Sequence, residues 1–164
     1  MTRGISGNDE DFYGSEDLTC RKPIHPVKGI MSAAPEVGVS RLIAESKNHA
    51  IVSTINEDGS VHSAVVWANV EDGKVAINSA VGRKWPTNLA RDPRVTVTVY
   101  DASNPYEYVS VRGTVTPDLE RADGHIDRLA KKYKDLDSYP YRQPGEQRIS
   151  FLVDPVKIVY NGAA

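Results

Sequence analysis

Alternation of apolar and polar residues predicts that most of the chain is β-structure. In "RVTVTVY", residues 94–100, three valines alternate with threonines and a tyrosine, which is the pattern of a strand with one buried face. The turn motifs "NEDG" at 56–59 and "EDG" at 71–73 join strands as hairpins. Six strands are predicted in all. In chain order they are "HAIVSTI", "SVHSAVVWANV", "KVAIN", "RVTVTVY", "YEYVSVRGTVT" and "RISFLVDPVKIVY".

Helical spacing replaces this alternation in three places. One helix opens near Pro35, and a second, of about two turns, lies between Trp85-Pro86 and the stop signal Asp92-Pro93. The third is amphipathic: Thr116 is its predicted cap and Pro117 lies in its first turn. Its apolar stripe is predicted to be Leu119, Ala122, Ile126, Leu129 and Tyr133, with His125 and Asp127 facing water.

Hairpin connections favour an antiparallel barrel with peripheral helices, a mainly β (α+β) fold, over a doubly wound sheet. Successive parallel strands would each need a crossover helix, and too few helices are predicted for that. Gly113 is expected to mark a bulge or a bend, and the last strand is expected to be interrupted at Asp154-Pro155. Residues 1–30 are polar and proline-containing and are interpreted as a tail, either disordered or lying across a neighbouring subunit, so that the domain is residues 31–164.

Composition narrows the function classes. The chain has 164 residues with 20 Lys and Arg against 22 Asp and Glu, so no global basic field favours nucleic acid or an anionic membrane. Cys20 is the only cysteine and the four histidines are scattered, which disfavours a metal site. No signal peptide or apolar span is visible, so we expect a cytoplasmic protein.

A candidate anion site lies before the second helix. Gly82, Arg83 and Lys84 stand just outside its N-terminus, where free backbone N–H groups, among them those of Thr87 and Asn88, carry partial positive charge. Two cations beside such amides would complete a phosphate cradle. From these residues alone, a solvated turn is an equally good interpretation.

The order of these motifs resembles a known family. A hairpin with "DG" at its turn, a third strand, a turn ending in Gly-Arg-Lys and then "NLARDPRVTVTVYD" is similar to the split-barrel flavoproteins of the pyridoxamine 5′-phosphate oxidase superfamily. The similarity is greatest to the branch that uses the 8-hydroxy-5-deazaflavin coenzyme F-420, and it covers about residues 37–160. It implies a split β-barrel and a homodimer with cofactor sites in grooves where the subunits meet.

The resemblance also implies roles for individual residues. Arg83 and Asn88 match the residues that hold the cofactor phosphate, whereas Trp85 stands where the family usually has lysine, with Lys84 one residue earlier. Either Lys84 reaches the same phosphate or Trp85 stacks on the cofactor. Asn78 and Ser79 would border the tricyclic ring, and Trp67 and His62 would face the substrate. A core or interface aromatic remains the alternative for Trp67, and a structural histidine for His62.

The implied activity is transfer of a hydride from the reduced deazaflavin to an electron-poor double bond of a small organic substrate. An FMN-dependent enzyme of the same fold and a non-catalytic flavin or haem carrier are the alternatives. No catalytic residue is assigned, because no acid/base or nucleophile constellation is readable. Tyr106, Tyr108, Tyr139 and Tyr141 could shape a substrate pocket or a subunit interface, and Arg142 and Arg148 could bind an acidic cofactor tail or be solvated.

Overall fold

The computed structural model describes residues 35–162, so the predicted tail, residues 1–30, lies outside the described residues. Within them, three helical segments accompany seven antiparallel strands in one sheet. The elements in chain order are α1 (Pro35–Val39, continued by a π-helical segment, Ser40–Glu45), β1 (Ala50–Ile55), β2 (Val61–Val66), β3 (Ala68–Glu71), β4 (Lys74–Ala80), α2 (Lys84–Arg91), β5 (Arg94–Tyr100), β6 (Tyr108–Asp118), α3 (Ala122–Lys134) and β7 (Arg148–Asn161).

The order of strands forces the sheet to curl. It runs β2-β1-β5-β6-β7-β4-β3, so β2 and β3 lie at opposite edges although Trp67 alone separates them in the chain. The two edges must therefore approach each other, which closes the sheet into a half-barrel. The predicted antiparallel split barrel is confirmed.

The number of strands differs from the prediction by one. The segment 60–70 was expected to be a single strand, but Val66 pairs with Ala50 of β1 whereas Ala68 pairs with Ile77 of β4. A strand that changes partner at a barrel corner must interrupt its hydrogen-bonded ladder. Apolar residues run without a gap from Val65 to Ala68 across this corner, so the hydrophobic pattern did not reveal the break.

Inward-facing residues of the sheet form the main core, and α3 covers part of the outer face. Val52, Ile77, Val97 and Val111 are fully buried inside the barrel. Strand β4 is buried on both faces, apart from its first residue, because α3 packs over its outer side. Polar residues on that outer side are thereby removed from water and need internal hydrogen-bond partners.

The start of α3 was predicted wrongly. Thr116 and Pro117 belong to β6, where they pair with Leu152 and Phe151 of β7, and the helix begins only at Ala122. Pairing with a long partner strand outweighs the local capping signal there. The predicted stripe is buried from Ala122 onward, at Ala122, Ile126, Leu129 and Tyr133.

Leu119, which was predicted to be buried in that stripe, and His125, which was predicted to face water, are both placed opposite to the prediction. Leu119 is 50% exposed because it precedes the helix. His125 is only 2% exposed, since its side of α3 faces the outer surface of β4 and β7. A single helix can therefore be buried over more than its apolar stripe when the sheet beneath it offers polar partners.

The predicted bulge at Gly113 is confirmed, because the register between β6 and β7 shifts between Arg112 and Gly113. Gly113 pairs with Pro155, and a Cβ at position 113 would overlap the backbone carbonyl oxygen of Asp154. The predicted interruption at Asp154-Pro155 is wrong, because β7 is continuous through these residues and the bulge accommodates the proline. None of the helices in residues 35–162 has the length and apolar character needed to cross a lipid bilayer.

Candidate functional site

A cavity of about 260 Å³ lies where the chain passes from β2 to β3. Its walls come from the end of β2 with Trp67, the end of β4, the start of α2, one residue of α3, the loop between α3 and β7, and the start of β7. The lining residues are His49, Val65, Val66, Trp67, Asn78, Ser79, Arg83, Trp85, Ile126, Tyr139, Tyr141 and Arg148. Residues far apart in the sequence thus converge on one concave surface, which is the usual form of a ligand site.

Ser79 carries a polar atom that the fold does not satisfy. The residue is 1% exposed, and its Oγ is the one buried side-chain nitrogen or oxygen without a hydrogen-bond partner in residues 35–162. A buried hydroxyl without a partner costs roughly 1–3 kcal/mol, so such atoms are rare unless a water or ligand completes them. Ser79 borders the cavity, but its side chain lies on the opposite face of the sheet from Asn78 and Arg148, because neighbouring residues of β4 face opposite sides and Asn78 bonds to Arg148.

Arg148 brings a buried positive charge to the same cavity. Its Nε donates to Oδ1 of Asn78 at 3.0 Å and its Nη1 donates to Glu146 at 2.8 Å. The guanidinium lies over the ring of Tyr139, with 5.2 Å between its central carbon and the ring centroid. The hydrogen bond from Arg148, together with the charges of Arg148 and Arg83, lowers the pKa of Glu146, which keeps this carboxylate ionised.

Arg83 reaches the cavity from the N-terminal side of α2. Its Nη2 donates to Glu146 at 3.0 Å, and its side chain is half exposed. Glu146 therefore bridges two arginines, and the three groups together carry one net positive charge. A ligand oxygen with negative charge is the electrostatic complement of this group.

The start of α2 differs from the predicted amide cradle. Gly82 has a φ of +85°, a left-handed conformation that glycine adopts at no steric cost, and it turns the chain into the helix. The amide of Thr87, however, donates to the carbonyl of Arg83 at 3.1 Å and is not free. Lys84 does not line this cavity and instead lies beside the turn between β1 and β2, near Asp58.

Trp85 is part of the hydrophobic core. The residue is 6% exposed, and the centroid of its ring lies 5.5 Å from the centroid of the Phe151 ring. Only part of the Trp85 side chain reaches the cavity wall. An indole at this position fills the space between α2 and β7, where it cannot be exchanged for a charged side chain without loss of packing.

Asn88 and His62 lie outside the cavity. The buried amide of Asn88 donates to Oγ1 of Thr54 at 3.1 Å and to Oδ1 of Asn56 at 3.0 Å, and so fastens α2 to β1. His62 lies on β2 opposite Thr54, which donates to its carbonyl. The structure thus brings together Trp67, Asn78, Ser79, Arg83 and Trp85 of the predicted site residues, and leaves Lys84, Asn88 and His62 apart.

Aromatic rings form the opposite wall. Trp67 stacks on Tyr133, with centroids 5.1 Å apart and planes 5° apart, and Tyr139 meets Trp67 edge-on at 6.1 Å. Tyr141 continues the row edge-on to Tyr139 at 5.5 Å. Such a wall accommodates flat, conjugated molecules.

Of the polar and aromatic cavity residues, only His49 was given no role from the sequence, whereas Tyr139, Tyr141 and Arg148 were named as possible pocket or cofactor residues without being assigned to the site. For Arg148 the sequence contained a usable signal, since Arg148 and Ser150 are polar residues at alternate positions of the segment "RISFLV" that opens β7 and is otherwise apolar. This spacing places both on one face, and a covered polar face on a buried strand indicates a functional network. In the part of the chain that the structure describes, no group of three or more His, Cys, Asp or Glu side chains is placed to hold a metal ion.

Comparisons with known proteins agree with this architecture. Residues 40–161 match the profile of the family described as pyridoxamine 5′-phosphate oxidase. A search of curated proteins gives no match.

Solved structures resemble the fold over most of its length. An F420 reductase, 22% identical, has a TM-score of 0.64 over 74% of this chain and 96% of its own. A conserved hypothetical protein from Mycobacterium tuberculosis, 20% identical, has a TM-score of 0.62 over 80% and 86%. A putative pyridoxamine 5′-phosphate oxidase from Listeria innocua, 12% identical, has a TM-score of 0.53 over 68% and 86%. At these identities the likeness shows the fold alone.

Proposed function

The chain belongs to the pyridoxamine 5′-phosphate oxidase family, and from this premise we propose that it is an oxidoreductase that binds the deazaflavin coenzyme F-420 and reduces an electron-poor double bond of a small organic substrate. The similarity in fold to an F420 reductase supports the choice of cofactor. FMN, which the same fold could hold, is the alternative cofactor.

The observation that carries this proposal is the buried guanidinium of Arg148 at the wall of the cavity, next to the ring of Tyr139. A tricyclic deazaflavin presents carbonyl oxygens along one edge of a flat ring. Arg148 offers hydrogen-bond donors for such oxygens, and the rings of Trp67 and Tyr139 offer a flat apolar surface next to it. The residues present therefore fit the group.

Each part of the cavity has a distinct task. When bound, the reduced deazaflavin would supply the hydride. Arg148 would bind and orient a ring oxygen, while Arg83 would attract an anionic group to the exposed end of the cavity. Trp67 and Tyr139 would exclude water from the reacting face. Because the cofactor carries the difficult chemistry, the lack of an acid/base constellation in the sequence is consistent with an enzyme.

We further propose that a second copy of the chain completes the site. A volume of about 260 Å³ is slightly below the roughly 300–1,000 Å³ typical of ligand pockets. Val61 and Val65 on the edge strand β2 are each 69% exposed, and Val65 also borders the cavity. A homodimer that buries this edge would cover both the valines and the cavity mouth.

Titration of the purified protein with oxidised F-420, and separately with FMN, tests the cofactor. A charge-assisted hydrogen bond contributes about 1.5–3 kcal/mol, so Arg83→Ala and Arg148→Ala should each weaken F-420 binding by about 10-fold or more. Arg94→Ala is the matched control, because Arg94 pairs with Asp92 and does not line the cavity. Equal affinity of all variants would contradict the site.

The same titration separates the alternatives. Tighter binding of FMN than of F-420 would assign the protein to FMN-dependent chemistry, whereas a haem absorption band with no affinity for either flavin would indicate a carrier. For the oligomer, Val65→Glu should convert a dimer to monomer in light scattering, while Leu136→Glu, an exposed leucine after α3, should not. A wild-type monomer would overturn the dimer proposal.

A further inference from the structure

A chain of hydrogen bonds runs beneath the cavity, from the far side of α3 to Arg148. The acidic end is Glu71 on β3, which accepts from Nε of Arg128 at 2.9 Å and from Nδ2 of Asn69 at 2.7 Å. Nε2 of His125 contacts Oδ1 of Asn69 at 2.8 Å. The buried imidazole of His125 is thus connected to the carboxylate of Glu71 through the side-chain amide of Asn69.

The second half of the chain continues from the imidazole to the cavity. Nδ1 of His125 lies 2.7 Å from Oγ of Ser150, which accepts from Nδ2 of Asn78 at 2.9 Å. Oδ1 of Asn78 then accepts from Nε of Arg148 at 3.0 Å. Three strands and one helix contribute to this continuous path: β3, β4, β7 and α3.

The donor and acceptor of each hydrogen bond in this chain determine the donor and acceptor of the next. Glu71 can only accept, so the amide nitrogen of Asn69 faces Glu71 and its oxygen faces His125. The imidazole must then carry its proton on Nε2. Its Nδ1 is left as an acceptor for the hydroxyl of Ser150, whose oxygen remains free to accept from Asn78.

The neutral state of the imidazole agrees with this direction. Burial lowers the pKa of His125 to about 4, although the charge of Glu71 acts in the opposite sense. At neutral pH the ring therefore has one donor and one acceptor, as the chain requires. The chain ends by presenting the amide oxygen of Asn78 to the guanidinium.

We propose that His125 and Ser150 are positioning residues that act through Asn78 to orient Arg148, and that Arg148 binds a negatively polarised oxygen of a flat, conjugated ligand in the cavity. This inference rests on the proposed function for the identity of the ligand, but the orientation of Arg148 does not depend on it. The ring of Tyr139, over which the guanidinium lies, packs against one face of it.

A double-mutant cycle tests whether the chain acts through Arg148. Ser150→Ala removes the central hydroxyl, Ser150→Thr retains it, and Arg148→Lys retains the charge without the planar fork. Ser110→Ala is the matched control, since Ser110 is a strand serine that contacts Thr98 and does not line the cavity. Urea denaturation establishes that each variant is folded under the assay conditions.

We expect Ser150→Ala to weaken binding of oxidised F-420 by about 5-fold to 10-fold, as for one hydrogen bond of about 1–1.4 kcal/mol, and Ser150→Thr to restore it. In the Arg148→Lys background, Ser150→Ala should have no further effect. Independent, additive losses would overturn the proposal, because Ser150 would then act by another route.

A second readout does not need a cofactor. In ¹⁵N NMR spectra the Nε–H resonance of Arg148, buried and hydrogen-bonded to Asn78, should be protected from solvent exchange and should shift in Ser150→Ala and in His125→Phe, but not in Ser110→Ala. An unchanged resonance would refute the positioning role. If the wild type binds neither F-420 nor FMN, the proposed function fails, whereas this spectrum still decides whether the chain orients Arg148.

Discussion

Replacing Trp85 by lysine would introduce the residue that the resemblance in sequence implied for this position, and we predict that it destabilises this protein. Trp85 is 6% exposed and packs against Phe151. A buried indole removes about 200 Å² from water, equivalent to about 5 kcal/mol at about 25 cal/mol per Å². The four methylenes of lysine recover at most about 3 kcal/mol, and its ammonium must either reach water or lose hydration.

The expected net loss in the free energy of unfolding is therefore about 2–4 kcal/mol, close to the range measured for large-to-small core substitutions. For a chain of this size, a loss of about 3 kcal/mol lowers the melting temperature by about 6–12 °C. Urea denaturation with constant slope, supported by calorimetry, measures the change.

Two control variants separate packing from charge. Ala90→Lys adds the same charge at an exposed position of the same helix and should change stability by less than about 0.5 kcal/mol. Trp85→Phe keeps an aromatic ring against Phe151 and should lose less than Trp85→Lys. If Trp85→Lys were as stable as the wild type, the placement of the indole in the core would be wrong.

Three further predictions follow from particular atoms. Gly113→Ala should cost at least about 2 kcal/mol because its Cβ meets the backbone of Asp154, whereas Gly124→Ala, within α3, should stabilise by up to about 1 kcal/mol in urea denaturation. Ser79→Ala should raise the free energy of unfolding by about 1 kcal/mol, since it removes a buried hydroxyl without a partner. A loss of stability would contradict this. Burial lowers the pKa of His125 in the folded protein to about 4, below the 6.5 of an unfolded histidine. The stabilisation from the neutral imidazole is therefore complete above pH 6.5, and about 3 kcal/mol of the free energy of unfolding is lost as the pH falls to 4. In His125→Phe, the free energy of unfolding measured over this pH range should fall by about 3 kcal/mol less.

The sequence alone determined the class of fold and most of its elements. Alternating valines set the buried face of β5, turn residues placed the first hairpin, and the spacing from Ala122 to Tyr133 set the apolar stripe of α3. These features depend on residues that are close in the chain. The spacing of apolar side chains along a strand or helix decides which of its faces is buried. The resemblance carried by the basic turn and "NLARDPRV" extended this to the family.

Only the tertiary structure decided how polar residues are buried. Periodicity cannot tell which element covers a strand's second face, so the burial of Arg148 and His125 between α3 and the sheet was not predicted. Nor could it show that the chain turns a barrel corner at Trp67, which sets the cavity between distant elements. Long-range pairing outweighs local preference in each case, because a buried polar group is stable only where another part of the chain supplies its partner.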